Sequence, residues 1–223
     1  KQTKDPFRMI DDRTSLQGEL TLKPSGLKGA GRMRVDNATL SSPEIEYGAK
    51  SFNAEQSDFI LREETGDTIL FTIFNIDADF DYIARKAGFT ANEEASKVEF
   101  PANQYIGFIN KFGWEMDNDL LKMSSEHLVH VYERGEFKTL PIEKRGGQPV
   151  GSHFVSVHPL QDSLEFYSRT ARYDLREKEL YADQVHHIKV ADALVYPKDG
   201  KVTVQRDANM VTLEKAEVLA NKA

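Results

Sequence analysis

The stretch Ile69-Leu70-Phe71-Thr72-Ile73-Phe74-Asn75-Ile76-Asp77-Ala78-Asp79-Phe80-Asp81-Tyr82 alternates with a period of two and changes phase once. The apolar face is odd at Ile69, Phe71 and Ile73, then even at Phe74, Ile76, Ala78, Phe80 and Tyr82. Period-two alternation is the signature of a strand with one buried face. One extra residue near Ile73-Phe74 swaps the faces, as a β-bulge does. Asn75, Asp77, Asp79 and Asp81 then line the opposite face. Arg85-Lys86-Ala87-Gly88 reads as a turn and Phe89 as the start of the return strand, which makes a hairpin.

Outward from this hairpin the same rhythm continues in both directions. Upstream, Leu20 and Leu22 precede the turn Pro24-Ser25-Gly26. Met33 and Val35, Ile45 and Tyr47, Phe52 and Ala54, and Phe59 and Leu61 follow as inward faces of short strands, with a break at Gly66-Asp67. Downstream, Ile106, Phe108, Asn110, Phe112, Trp114 and Met116 read as one long alternation ending at the turn Asp117-Asn118-Asp119. Helical spacing would scatter these apolar positions around a cylinder, so a strand is expected. The pattern fails over residues 124–150, an irregular excursion. At its start Leu120, Met123, His127 and Val131 could mark one face of a short helix capped near Ser124 or Ser125, and Gly135, Pro141, Gly146-Gly147 and Pro149 break everything after it. Alternation returns with Phe154 and Ser156, Leu164 and Phe166, Tyr173 and Leu175, Leu180 and Ala182, Val190, Leu194, Val202 and Val204. The segment 212–220 has helix-forming composition, but its alanine spacing echoes Ala182 and Ala193, which tips it toward strand.

Composition bounds the function. The chain has 223 residues, 29 Lys plus Arg against 36 Asp plus Glu, and a net charge of −7, so it lacks the cationic excess that neutralises nucleic acid phosphates. It has no cysteine, which removes disulfides, thiolate nucleophiles and Cys-based zinc sites. It has no run of about 18 apolar residues and no signal-peptide core, and it begins at Lys1. We read it as a single elongated β domain over 1–223, excerpted from a longer protein.

Each constellation of chemistry-bearing residues has a plainer structural reading. Asn75, Asp77, Asp79 and Asp81 place carboxylates about 7 Å apart along one strand, within reach of a hard cation if a second strand adds oxygens, yet no EF-hand loop follows. A solvated sheet face explains them. Phe108, Phe112 and Trp114 could form an exposed sugar-stacking platform, but burial in the core removes more apolar area from water. His127 and His130 have H-x-x-H spacing without an H-E-x-x-H frame, and His186-His187 is an isolated pair; neither defines a metal site. Ser152, His153, Ser156, His158, Asp162 and Ser163 collect the residue types of a hydrolase triad, with no G-x-S-x-G elbow. Neighbours this close in sequence seldom converge, so His158-Pro159 and Gln161-Asp162-Ser163 read as a turn. Gly29-Ala30-Gly31 is a lone G-x-G, and Asn37-Ala38-Thr39 matches the N-glycosylation pattern. No catalytic residue, metal ligand or cofactor-binding residue is expected, and the chain is read as non-enzymatic with no cofactor.

Several segments carry a resemblance: Phe100-Pro101-x-Asn103-Gln104-Tyr105, Trp114-x-Met116-Asp117, the string Gly151-Ser152-x-Phe154-x-Ser156-x-His158-Pro159-x-Gln161-Asp162-Ser163-Leu164, and Val190-Ala191-Asp192-Ala193 with Pro197 and Gly200. They resemble segments of very large uncharacterised cell-envelope proteins of the Bacteroidetes. That resemblance implies a Gram-negative envelope location, periplasmic or associated with the outer membrane, and no activity. Ala171-x-Tyr173-Asp174, Leu180-x-Ala182 and Ala191-x-Ala193 are also similar to the rungs of OstA-like domains of lipopolysaccharide transport, which implies an open jelly roll with acyl chains inside.

The expected architecture is all-β: an elongated stack of short strands, as an open jelly roll or a β-solenoid, with one irregular excursion. The expected function is a structural or interaction segment of an envelope protein, contacting other segments of its parent, envelope proteins, lipid or glycan, and no nucleic acid. The alternatives are a lipid or lipopolysaccharide-binding groove and a glycan-binding or glycan-active β-helix with Asp77, Asp79 and Asp81 as its centre.

Overall fold

The computed structural model describes residues 5–9, 12–93, 95–125, 151–162 and 164–220. Among these, nineteen strands form one open sheet in which every pairing is antiparallel. That excludes a solenoid of parallel rungs and gives the expected all-β stack the form of an open, unclosed antiparallel sheet.

The first six strands are β1 (Phe7–Arg8), β2 (Thr14–Lys23), β3 (Gly26–Val35), β4 (Ala38–Tyr47), β5 (Ser51–Arg62) and β6 (Ile69–Asp81). The four strands β2 to β5 meander in sequence order and lead into β6, where the sheet divides. Ile76 to Asp81 pair with β7 (Lys86–Ala91), while Thr72 and Ile73 pair with β8 (Ser96–Phe100). Two limbs then grow side by side. The first continues from β7 through β10 (Lys111–Glu115), β11 (Leu120–Ser124), β14 (Thr170–Asp174), β15 (Glu179–Asp183) and β18 (Val202–Val204). The second runs from β8 through β9 (Tyr105–Ile109), β12 (Ser152–Ser156), β13 (Glu165–Ser168), β16 (Ile188–Val190), β17 (Ala193–Tyr196) and β19 (Glu217–Ala220). Each rung contributes one strand to each limb, the two joined at a corner.

The corners are built from small residues and left-handed backbone. β3 bends at Gly31, where φ is +134° and where a Cβ would fall 2.4 Å from the Gln17 carbonyl oxygen, so only glycine fits. β5 and β6 turn at Gln56 (φ 48°) and Asn75 (φ 54°). At two corners a buried serine hydroxyl, with one proton to donate, lies within reach of carbonyls on both sides of the bend. The Ser42 hydroxyl lies 2.8 Å from Glu44 O and 2.6 Å from Glu55 O, and the Ser168 hydroxyl lies 2.7 Å from both Thr170 O and Asp183 O.

The core lies between the limbs and is aromatic. Phe59 on β5 meets Phe89 at 4.7 Å, Trp114 at 5.7 Å, Phe71 at 6.3 Å and Phe112 at 6.4 Å between ring centroids. Phe52 stacks on Phe80 at 4.4 Å, Phe89 on Phe112 at 4.3 Å, and Phe100 packs against Tyr173 at 5.0 Å across the limbs. Rings at these separations exclude water and contribute about 0.5–1.5 kcal/mol per pair beyond the area they bury.

Several expectations shift. Phe74 is exposed, because the face swap falls at Phe74-Asn75 and leaves both outside. Leu22 is exposed too, since its half of β2 has only β3 as a neighbour. Gly88 lies inside β7, and the turn is at Tyr82 to Arg85 instead, with Arg85 at φ 49°. Ile106 and Phe108 face outward while Tyr105 and Ile109 are buried, because the chain crosses a corner at Asn110 and the phase changes there. Leu120 to Ser124 is strand rather than the start of a helix, and the rest of the 124–150 excursion from residue 126, with His127, His130 and Val131, lies outside the described residues. Residues 217–220 are strand, paired with β17.

Candidate functional site

The acidic face is where the sequence places it. Asp77, Asp79 and Asp81 point away from the core on β6. Two of them have structural duties: Asp81 Oδ1 accepts the Ile83 and Ala84 N–H groups at 2.8 Å and closes the turn, and Asp77 Oδ1 accepts the Gln56 N–H at 3.0 Å beside the β5 corner. What the sequence did not reveal is the far side of this face. In register across the first limb stand Asp79, Gly88, Gly113 and Lys122, and one row along, Asp77, Thr90, Lys111 and Ser124. Strands spaced about 4.8 Å apart set Asp79 and Lys122 roughly 14 Å from each other. Between carboxylates on one side and ammonium groups on the other lies a trough of about 490 Å³ floored by the two glycines. Lys122 also pairs with Glu115 at 2.8 Å, which anchors that wall.

The aromatic candidates separate. Phe112 and Trp114 are core residues, whereas Phe108 is exposed on the outer face of the second limb. There it forms a ladder with His153, 5.7 Å away, and His153 stacks on Tyr167 at 4.1 Å with planes only 4° apart. The facing sides of His153 and Tyr167 are spent on each other.

His153 Nε2 lies 3.0 Å from Glu165 Oε2, and Glu165 pairs in turn with Lys189 at 2.9 Å. Burial pushes the His153 imidazole below its usual range, against the opposing pull of Glu165. A histidine with a lower pKa folded than unfolded binds its proton more readily in the unfolded chain, so acidification favours unfolding. Stability therefore falls as pH drops below about 6.5, the ordinary histidine value, before most carboxylates titrate. Thermal melts between pH 7 and pH 5 test this, with His153→Phe expected to flatten the slope while keeping the stack.

The triad-like string does not assemble. Ser152 and Ser156 are buried on the core side of β12 while His153 faces outward. Ser156 Oγ accepts the His158 backbone N–H at 3.1 Å, and the His158 ring accepts the Leu160 N–H at 3.2 Å. Those are turn contacts, and Asp162 sits at φ 45° within the same loop; Ser163 lies outside the described residues. His186 and His187 meet at 3.0 Å between their Nδ1 atoms and pack against Tyr196. Among the described residues no three His, Asp or Glu gather as a metal cluster. Asn37 uses its amide to hold the Arg62 carbonyl, and Gly29 and Gly31 belong to β3.

The mouth between the two limbs, opposite the corners, is latched. Arg85, in the turn after β6, donates to Asp36, in the turn after β3, at 2.6 Å and to Asp117 at 2.5 Å. Lys178 pairs with Glu63 across the same gap. Asn103 donates its amide to Lys178 O at 2.8 Å and to Val204 O at 3.2 Å, and Gln161 reaches Ala208 O at 2.6 Å. Arg85 and Asp36 also line a second cavity, of about 600 Å³.

No protein-family model and no curated protein matches this sequence. No described helix is long and apolar enough to cross a membrane, which says nothing of a β-barrel.

Proposed function

We propose that this chain is a non-enzymatic interaction segment of a large Gram-negative cell-envelope protein and that it engages its partner on the outer face of the first limb. The observation that carries this reading is the glycine floor of the trough. Neither Gly88 nor Gly113 has positive φ. A Cβ on Gly88 would meet nothing within 4 Å, and one on Gly113 would make only an ordinary contact, 3.6 Å from Ala87 O. Glycine inside a strand costs about 0.5–1 kcal/mol relative to alanine and often marks the close approach of a ligand or another backbone. The chain's own packing does not require it at either position, so an external occupant supplies the reason.

The interior is a poor seat for an acyl chain, because phenylalanines fill it and the mouth is bridged. The trough favours a glycan as the second reading, since hydroxyl groups donate to the carboxylates on one wall and accept from Lys111 and Lys122 on the other.

Native mass spectrometry of the protein purified from its own envelope tests both, beside a Gly88→Val, Gly113→Val variant. The wild type is expected to retain protein or glycan and the variant to lose it. The variant should melt no lower than the wild type, because valine favours strands. Retained lipid on the wild type, or a variant that holds its partner, would overturn the outer-face reading.

A further inference from the structure

The outer face of the meander carries an inference independent of the trough. Where β1 to β5 lead through Thr72 into the second limb, register decides which side chains stand together on the side away from the core. Arg8 lies opposite Ser15, Ser15 opposite Arg34, and Arg34 opposite Thr39. In the next row Gln17 lies opposite Arg32, Arg32 opposite Ser41, and Ser41 opposite Asp58. Residues two apart on a strand are about 7 Å from each other, so Arg32 and Arg34 project side by side from β3. Arg62 joins them from β5: its Nη1 donates at 3.4 Å to the hydroxyl of Thr39, the residue directly across the ladder from Arg34.

These guanidiniums are uncompensated in a chain whose net charge is −7. Arg32, Arg34 and Arg62 form no ion pair among the described residues; the partners of Arg34 and Arg62 are neutral, the Asp36 carbonyl at 3.1 Å and the Thr39 hydroxyl. Arg8 and Arg13 flank them, paired with Asp12 at 3.2 Å and Asp36 at 3.7 Å. The acid on the face itself is Asp58, whose Oδ1 accepts the Asn75 N–H at 3.3 Å. Every basic residue of the face is arginine, although lysine is the commoner cation in the chain, 17 against 12. Arginine is the cation whose fork makes two parallel bonds to a carboxylate.

We propose that this face binds an extended acidic polysaccharide, with Arg32, Arg34 and Arg62 each taking a separate carboxylate along the polymer. The face is a ladder of short polar side chains without walls, which suits a chain of repeated charge and not a small anion that several donors must enclose. Ser15, Gln17, Thr39 and Ser41 lie between the arginines and exchange hydrogen bonds with sugar hydroxyls. A membrane would ask for apolar side chains on the same surface, where half-buried Ile60 is the one apolar residue among those described. Single-stranded nucleic acid would ask for aromatic rings under its bases, and the described residues of this face include none.

Calorimetry with polygalacturonate tests this, beside monomeric galacturonic acid, neutral dextran, phosphatidylglycerol vesicles and a single-stranded oligonucleotide. The polymer is expected to bind, to weaken with added salt, and to bind at least about tenfold more tightly than the monomer or dextran. Arg32→Gln, Arg34→Gln and Arg62→Gln combined should weaken polymer binding about tenfold or more and leave the melting temperature unchanged, since all three side chains lie outside the core. Arg32→Lys, Arg34→Lys and Arg62→Lys combined, which keeps the charge and loses the fork, should fall between that variant and the wild type. Lys198→Gln, Lys201→Gln and Lys215→Gln combined removes the same charge from exposed positions elsewhere and should leave binding within about twofold. No binding of the polymer, equal binding of dextran, tighter binding of vesicles or oligonucleotide, or an equal loss in the Lys198, Lys201 and Lys215 variant would overturn the proposal.

Discussion

Phe59→Ala is expected to lower stability by about 3–5 kcal/mol, the range for deleting a large ring from a packed core. Phe59 is fully buried at the point where both limbs meet, with four ring neighbours: Phe71 from its own side and Phe89, Phe112 and Trp114 from the first limb. The cavity cannot collapse easily, because its walls are strands fixed in register on both sides. Denaturant unfolding followed by Trp114 fluorescence measures the effect. A loss below about 1 kcal/mol would mean that the limbs do not close on one another as described.

Asn103→Leu is the second large effect. Asn103 is fully buried in the turn between β8 and β9, and its amide holds the carbonyls of Lys178 and Val204, which belong to the opposite limb. Leucine has a similar volume but no donor, so one buried and one half-buried carbonyl lose a partner. At about 1–3 kcal/mol for each of the two carbonyls left unsatisfied, the loss is about 2–6 kcal/mol, lowered by the removal of Asn103 Oδ1, which is itself buried without a partner. Asn103→Asp should fare no better, because a carboxylate offers the carbonyls no proton. Hydrogen exchange should show the loss first in β15 and β18, whose ends Asn103 ties across the mouth. Uniform loss across the chain would point to a general packing defect instead.

The strand content and most of the core were legible because period-two alternation survives wherever a limb buries one face. Met33, Phe52, Phe59, Phe80, Trp114, Phe154, Tyr173 and Leu180 are all buried as expected. The corners were not legible. At Asn110 the buried positions change from odd to even, but Ile106 and Phe108 are apolar on the outside and continue the later phase backwards, so the two half-strands read as one. Phe108 tolerates its exposed place by packing in the ring ladder with His153, a contact set by the pairing of β9 with β12. The acidic half of the trough was visible on a single strand. Its basic half arrives from β10 and β11, and which lysine faces which aspartate is a matter of register between strands, which local pattern does not encode. The mouth cavity was hidden for the same reason, since its walls come from strands and turns far apart in the sequence.

The corner also explains how a chain of this kind can gain length over generations. Ser168 and Thr170 are joined by Arg169 alone, while their partners across the ladders, Ser152 and Ser124, are joined by the whole of 125–151. The pairing on either side is the same in both rungs, so the limbs register nothing of how much sequence intervenes. Closing a longer loop adds only about 0.6 kcal/mol for each doubling of its length. An inserted segment at any corner leaves the ladders, the core and the mouth as they were. Stacks built from such rungs can therefore diversify at their bends while their interior stays under strict selection, and the corners are where relatives of this chain are expected to differ most in length.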